Sequence, residues 1–117
     1  MSQDAVNLVR AYHAGASVSA ADLDAALGLP AQAWTAASAS EHAHVQIDHP
    51  GESVVNVATP YEICRGVFEA LELDASSRFV DLGCGVGRVV LYGALLTEAH
   101  FVGVEIVAAR AAVAARS

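Results

Sequence analysis

The stretch RFVDLGCGVGRVV, residues 78–90, restricts the fold more than anything else in the chain. A short apolar run carries an acid, Asp81, near its end. Gly83, Gly85 and Gly87 follow at alternate positions, and a second apolar run begins at once. Such a pattern suits a strand that turns sharply into a helix. Gly83 can take the positive φ that the turn requires, while Gly85 and Gly87 let a ligand and the strand approach the backbone with no Cβ between. N–H groups at the start of the following helix are expected to favour an electron-rich ligand group.

The residues on either side extend this unit. RFVDL reads as a strand and GVGRVVLYGALL as a helix with Val89, Val90, Ala94 and Leu95 inward. HFVGVE is a second strand, and IVAARAAVAARS begins another helix. Strand, helix and strand at this spacing form a right-handed parallel unit. Both strands are almost wholly apolar, which predicts cover on both faces of the sheet. Upstream, TPYEICRGVFEALEL predicts a helix with Thr59 as N-cap, Pro60 at its first position and Glu62 closing a capping box. Ile63, Val67, Phe68 and Leu71 would form its apolar face.

The N-terminal third reads as a small helical cap over 1–40. Val6, Val9, Tyr12 and His13 share one stripe, and Gly15 ends that helix. Ser19 and Asp22 give a capping-box-like start to a second helix carrying Leu23, Ala26 and Leu27, which Gly28 and Pro30 terminate. A third short helix is expected around Trp34. Residues 41–58 read as a linker before the α/β unit of 59–117. His42, His44 and His49 lie near Glu41 and Asp48, but their spacing lacks the defined pairs of a zinc site, so a solvated loop is expected and no metal.

Composition narrows the function classes. The chain has 117 residues, a formal charge of −7 and no lysine; all six basic residues are arginines. A phosphate backbone needs clustered cations, so nucleic-acid binding is not expected, and a helix-turn-helix reader is disfavoured by the lack of any basic residue between Arg10 and Arg65. Without lysine there is neither a Schiff-base lysine nor a P-loop lysine. Hydrophobic content is 55%, with about a fifth of all residues alanine. No stretch is long and apolar enough for a membrane span and no signal pattern opens the chain, so a soluble cytoplasmic protein is expected. Cys64 and Cys84 lack a CxxC spacing and read as small buried residues rather than a disulfide or a nucleophile.

The spacing of the glycines selects among ligands. A dinucleotide fingerprint, GxGxxG, would put glycine where Arg88 stands. The chain instead has acid-x-GxGxG from Asp81 to Gly87. Glu105, at the end of the second strand and 22 residues past Gly83, occupies the place where a carboxylate accepts from both hydroxyls of a ribose. Asp81 would face a cationic part of the ligand; its plainer reading is a cap for the turn. For Glu105 the plainer reading is a solvated strand end.

At this point the sequence resembles a known family. DLGCGVGR followed by GVEI is similar to the first and second motifs of class I S-adenosylmethionine-dependent methyltransferases. TPYEI resembles the cofactor-facing loop of the methyltransferases related to the disruptor-of-telomeric-silencing histone lysine enzymes, a layout shared by small bacterial, archaeal and mitochondrial methyltransferases. The resemblance covers about residues 50–117. It implies a Rossmann-like class I fold with S-adenosyl-L-methionine as cofactor. Asp81, Gly83 and Gly85 would cradle the methionine part, with Cys84 and Gly87 in the same turn. Glu105 would hold the ribose and the Thr59 loop would close over the cofactor. Arg88 stands where the histone enzymes have glutamine and bacterial relatives often have arginine, which favours the latter. The implied acceptor is a protein lysine; no catalytic residue is identified.

A complete fold of that class has more strands than the two visible here. The chain is therefore expected to be its first β-α-β-α unit, a truncated product with weak cofactor affinity and no turnover of its own. Two other readings stay open: a non-catalytic module completed by oligomerisation or by another chain, and half of a nicotinamide-dependent enzyme, which Arg88 argues against.

Overall fold

The computed structural model describes residues 2–29, 59–105 and 108–116. Among them are α1 (Gln3–His13), α2 (Ala20–Ala26), α3 (Tyr61–Leu71), β1 (Arg78–Leu82), α4 (Arg88–Leu96), β2 (His100–Val104) and α5 (Ala108–Arg116). The expectations for Trp34, the 41–58 linker and His42, His44 and His49 lie outside the described residues.

The helix starts follow the chemistry of their caps. Ser2 Oγ accepts from the Ala5 N–H at 3.2 Å, and Ser19 Oγ accepts from the Asp22 N–H at 3.1 Å. Each satisfies one of the amides that a helix leaves without an internal acceptor. The start of α3 differs from the expected capping box. Pro60 is its N-cap residue and makes no side-chain cap, so Thr59 lies one residue outside. Pro60 suits the site because it has no N–H to satisfy.

β1 and β2 are parallel, with Phe79 beside Phe101, Asp81 beside Gly103 and Leu82 beside Val104. The connection through α4 makes this a small α/β fold. One sheet face is packed. Phe79, Phe101 and Phe68 of α3 meet with ring centroids 5.3–5.9 Å apart, and Phe68 stacks on Tyr92 of α4 at 5.9 Å. The closeness depends on Gly93: a Cβ there would lie 2.5 Å from Phe101 and 2.6 Å from Phe68.

The other face departs from the sequence expectation of two covered faces. Val80, Leu82, Val102 and Val104 are 56, 79, 42 and 46% exposed. Alternation along each strand sends Phe79 and Phe101 to α3 and α4, and sends these four residues the opposite way.

The core also joins the N-terminal helices to the α/β unit. Val9, Tyr12, Leu23, Leu27 and Leu29 pack in one cluster with Tyr61, Cys64, Phe68, Val86 and Tyr92. His13 Nδ1 and Tyr92 Oη are 2.8 Å apart, and the rings of Tyr12 and Tyr92 meet edge to face. This arrangement changes which faces are inward. On α3 the buried residues are Tyr61, Cys64 and Phe68, whereas Ile63 and Leu71, expected inward, are 55 and 48% exposed. On α4 Val89 and Leu95 pack against the core as expected, but Tyr92 and Gly93 are the buried residues and Ala94 is exposed, so the inward stripe is shifted toward Tyr92. The aromatic rings decide the rotation, since they remove the most apolar area from water.

Candidate functional site

The turn between β1 and α4 forms at the carboxyl ends of both strands. Gly83, Gly85 and Gly87 all have positive φ, at 79, 59 and 97°. These values are costly for any residue with a Cβ. At Gly87 a Cβ would in addition approach Ala114 of α5 to 3.0 Å, while at Gly83 it would meet nothing within 4 Å. Conformation therefore fixes Gly83, and conformation with packing fixes Gly87.

The turn's own amides are largely spoken for. Gly83 and Cys84 both donate to the Val104 carbonyl, at 2.7 and 2.9 Å, and Gly87 donates to the Cys84 carbonyl at 3.0 Å. Gly85 donates to Glu105 Oε1 at 2.9 Å. These four amides are engaged within the turn and with β2, whereas the expectation of an electron-rich ligand group concerns the first amides of α4. The backbone donors close the turn onto β2, and the groups that face one another across it are carboxylates.

Glu105 is half-buried just beyond β2, and Asp81 is half-buried on β1. Burial holds the Asp81 carboxyl above the usual aspartate range, and the nearby Glu105 charge adds to the effect. A carboxyl whose ionisation is opposed by burial and by a neighbouring negative charge makes a favourable place for a cation. Gly103, the neighbour of Asp81 across the sheet, leaves room for the turn: a Cβ there would lie 2.6 Å from Cys84 Sγ. The Cys84 thiol is pushed up by burial, then by Asp81 and Glu105. Cys64, fully buried, is pushed up to about 11, chiefly by burial. Both cysteines are free, and neither environment makes a thiolate nucleophile.

Cys84, Gly103 and Glu105 also line a cavity of about 220 Å³ with Val90 of α4 and Ala111, Ala114 and Ala115 of α5. Its small, mainly apolar lining with one carboxylate at the strand end suits part of a nucleoside-sized ligand.

Sequence reasoning placed Asp81, the glycines, Cys84 and Glu105 in one neighbourhood, and the structure brings them together. Thr59 stands apart in role. Its carbonyl accepts from Arg88 Nη1 at 3.1 Å, so it is tied to the turn through the first residue of α4. Asp24 was missed. It lies on α2, pairs with Arg88 through Nε–Oδ1 at 3.1 Å and Nη2–Oδ2 at 2.8 Å, and accepts a hydrogen bond from the Tyr61 hydroxyl. The signal available was slight: an acid between the core leucines Leu23 and Leu27.

Residues 43–117 match the family described as histone methylation protein DOT1. The chain belongs to this family. The match spans well over half of the sequence and includes the glycine turn, Glu105 and the Thr59 segment. Comparisons with curated proteins and with solved structures give no match. Membership in the DOT1 family ties the chain to methyltransferase-related function, and the family's chemistry implies use of S-adenosylmethionine.

The residues present fit that cofactor's charges. S-adenosylmethionine carries a sulfonium, an ammonium and one carboxylate, a net positive charge, and the turn offers Asp81 and Glu105 at the ends of adjacent strands with Cβ-free backbone between them. A pyrophosphate, in contrast, would meet two carboxylates and amides already bonded to Val104 and Glu105.

Proposed function

We propose that residues 59–117 form the S-adenosylmethionine-binding part of a class I, Rossmann-like methyltransferase of the DOT1 type, with a protein lysine, in a histone or a histone-like basic protein, as the methyl acceptor. The observation that carries this reading is the placement of Glu105 beside Gly85, at 2.9 Å, with Asp81 on the neighbouring strand end and three positive-φ glycines between them. Asp81, Gly83, Cys84, Gly85 and Gly87 would hold the methionine end, Glu105 the ribose, and the Thr59 segment would cover the mouth.

The bound cofactor supplies an electrophilic methyl group for in-line transfer to a nucleophile. The chain's own residues contribute alignment rather than proton transfer. Asp81 and Glu105 favour a cation through charge, and the turn fixes their separation through its hydrogen bonds to Val104. Cys84 stays a neutral thiol, so it does not compete as a nucleophile. Alignment is the main requirement of a displacement whose leaving group is already activated.

Isothermal titration of the full chain with S-adenosylhomocysteine and with NAD tests the proposal. Binding of the first without the second is expected. Binding of NAD alone would overturn it.

A second reading is favoured by the exposed Val80, Leu82, Val102 and Val104 on the open sheet face. Contiguous apolar surface of that kind marks association sites. Here the chain acts as a cofactor-binding or assembly module completed by another copy or another chain. Gel filtration addresses it: elution well above the 12.0 kDa of the monomer is its expected result.

A further inference from the structure

Arg88 is an unfavourable residue for its place. It is the first residue of α4, where the helix dipole repels a cation, and it is buried at 8% exposure. The structure compensates with a partner 64 residues away: both oxygens of Asp24 engage the guanidinium. The remaining nitrogen, Nη1, reaches the Thr59 carbonyl, and the guanidinium plane lies over the Tyr61 ring at 4.3 Å from its centroid. Tyr61 in turn donates its hydroxyl to Asp24. One planar cation thus joins α2, the segment leading into α3, and the residue that follows Gly87.

An arrangement of this kind is a poor device for stability alone. Two neutral side chains of similar size at the same positions would avoid the desolvation of both charges. What a bidentate guanidinium supplies is direction, because its fork fixes three nitrogens in one plane. With two edges held by Asp24, the third nitrogen can point only where Thr59 is.

We propose that Asp24 is a positioning residue: by orienting Arg88 it fixes the Thr59–Tyr61 segment beside the glycine turn, so that the N-terminal helices set the pose of the segment that covers the cofactor. The link to cofactor rests on the reading of the turn given above. The positioning itself does not, and the two are separable by experiment.

The test uses the full chain and the paired variant Asp24→Asn/Arg88→Gln. It removes both charges together and keeps an acceptor for Tyr61. The shorter side chain at position 88 cannot reach α2 and the Thr59 carbonyl at once. Hydrogen exchange is followed at the Ile63 and Cys64 amides, which donate to the Pro60 carbonyl, and at the Thr97 and His100 amides, which report the rest of the fold. S-adenosylhomocysteine affinity is measured in parallel. The expected result is exchange about tenfold faster at Ile63 and Cys64 alone, with affinity lower by about fivefold or more. Unchanged exchange at Ile63 and Cys64, or acceleration shared equally with Thr97 and His100, overturns the proposal, the latter because it marks a purely structural pair. Altered exchange with unaltered affinity overturns the link to cofactor. If the parent chain binds no S-adenosylhomocysteine, the cofactor reading fails while the exchange data still decide the positioning. Should the paired variant fail to fold, Arg88→Lys carries the same comparison, since one ammonium keeps the charge but cannot span Asp24 and Thr59 as the fork does.

Discussion

Glu105→Gln separates a residue that clasps the turn from one that serves a ligand, because the two roles place the loss in different measurements. The carboxylate accepts from the Gly85 N–H at 2.9 Å, and a glutamine carbonyl can accept the same bond. A hydrogen bond to a charged group is worth about 1.5–3 kcal/mol and a neutral one about 0.5–1.5, so the exchange costs about 1 kcal/mol. Against this, the charge that disfavours ionised Asp81 is removed. Between half-exposed groups that relief is at most about 1 kcal/mol. The two effects oppose each other, and stability should stay within about 1 kcal/mol of the parent. The melting temperature should therefore move by less than about 8 °C.

Ligand affinity has no such offset. If Glu105 accepts from the ribose, the substitution replaces charged hydrogen bonds with neutral ones, a loss of about 1.4–2.8 kcal/mol, or about 10–100-fold in Kd. Calorimetric titration with S-adenosylhomocysteine reads that loss directly, and differential scanning calorimetry reads the stability. Affinity within about twofold of the parent would refute the ribose assignment. A large drop in melting temperature would instead make Glu105 a structural clasp for Gly85.

Two further outcomes follow from the geometry. Gly93→Ala gains about 1 kcal/mol of helix propensity but drives a methyl group to 2.5–2.6 Å from Phe101 and Phe68; overpacking of about 1–3 kcal/mol outweighs the gain, and a urea melt should show net destabilisation. The raised Asp81 pKa means that the folded state holds that proton more tightly than the unfolded chain does. The Asp81 contribution is complete below the usual aspartate range and is lost as pH rises through the raised value, whereas affinity for a cationic ligand, which favours the ionised form, should rise across the same window; thermal melts and titrations at stepped pH measure both, and Asp81→Asn should abolish both trends.

The βα turn was legible because its requirements are local. A strand of five residues, an acid one residue before its end and three alternating glycines are all written within ten residues, and β1 and α4 formed where that pattern put them, with β2 at the next apolar run; positive φ, expected at Gly83, occurs at Gly85 and Gly87 as well. Helix faces were less legible. Ile63 and Leu71 share an apolar spacing with Phe68, and nothing within α3 says that Tyr61 and Cys64 will be chosen instead. The choice depends on Tyr12, Leu23 and Tyr92, which approach from other elements. Gly103 was equally opaque, because its need is set by Cys84 across the sheet. The Asp24–Arg88 pair shows the limit most clearly: each residue looks misplaced alone, an acid among core leucines and a cation at a helix start, and only their meeting explains both.

The same contrast bears on how the glycine turn should be understood. A glycine-rich turn at a strand's carboxyl end is commonly read as an amide cradle for phosphate. In this chain Gly83, Cys84, Gly85 and Gly87 commit their N–H groups to Val104, Glu105 and Cys84. The Arg88 guanidinium, at the first residue of α4, is directed to Asp24 and the Thr59 carbonyl. Negative charge stands beside the turn at Asp81 and Glu105, and the ionisation of Asp81 is opposed by burial and by the Glu105 charge. A site of that sign gains by taking up positive charge, since a cation relieves the repulsion that the fold has built between two neighbouring strand ends. On the function proposed above, the glycines let the chain turn and the cofactor come close, and the carboxylates select for its positive charge.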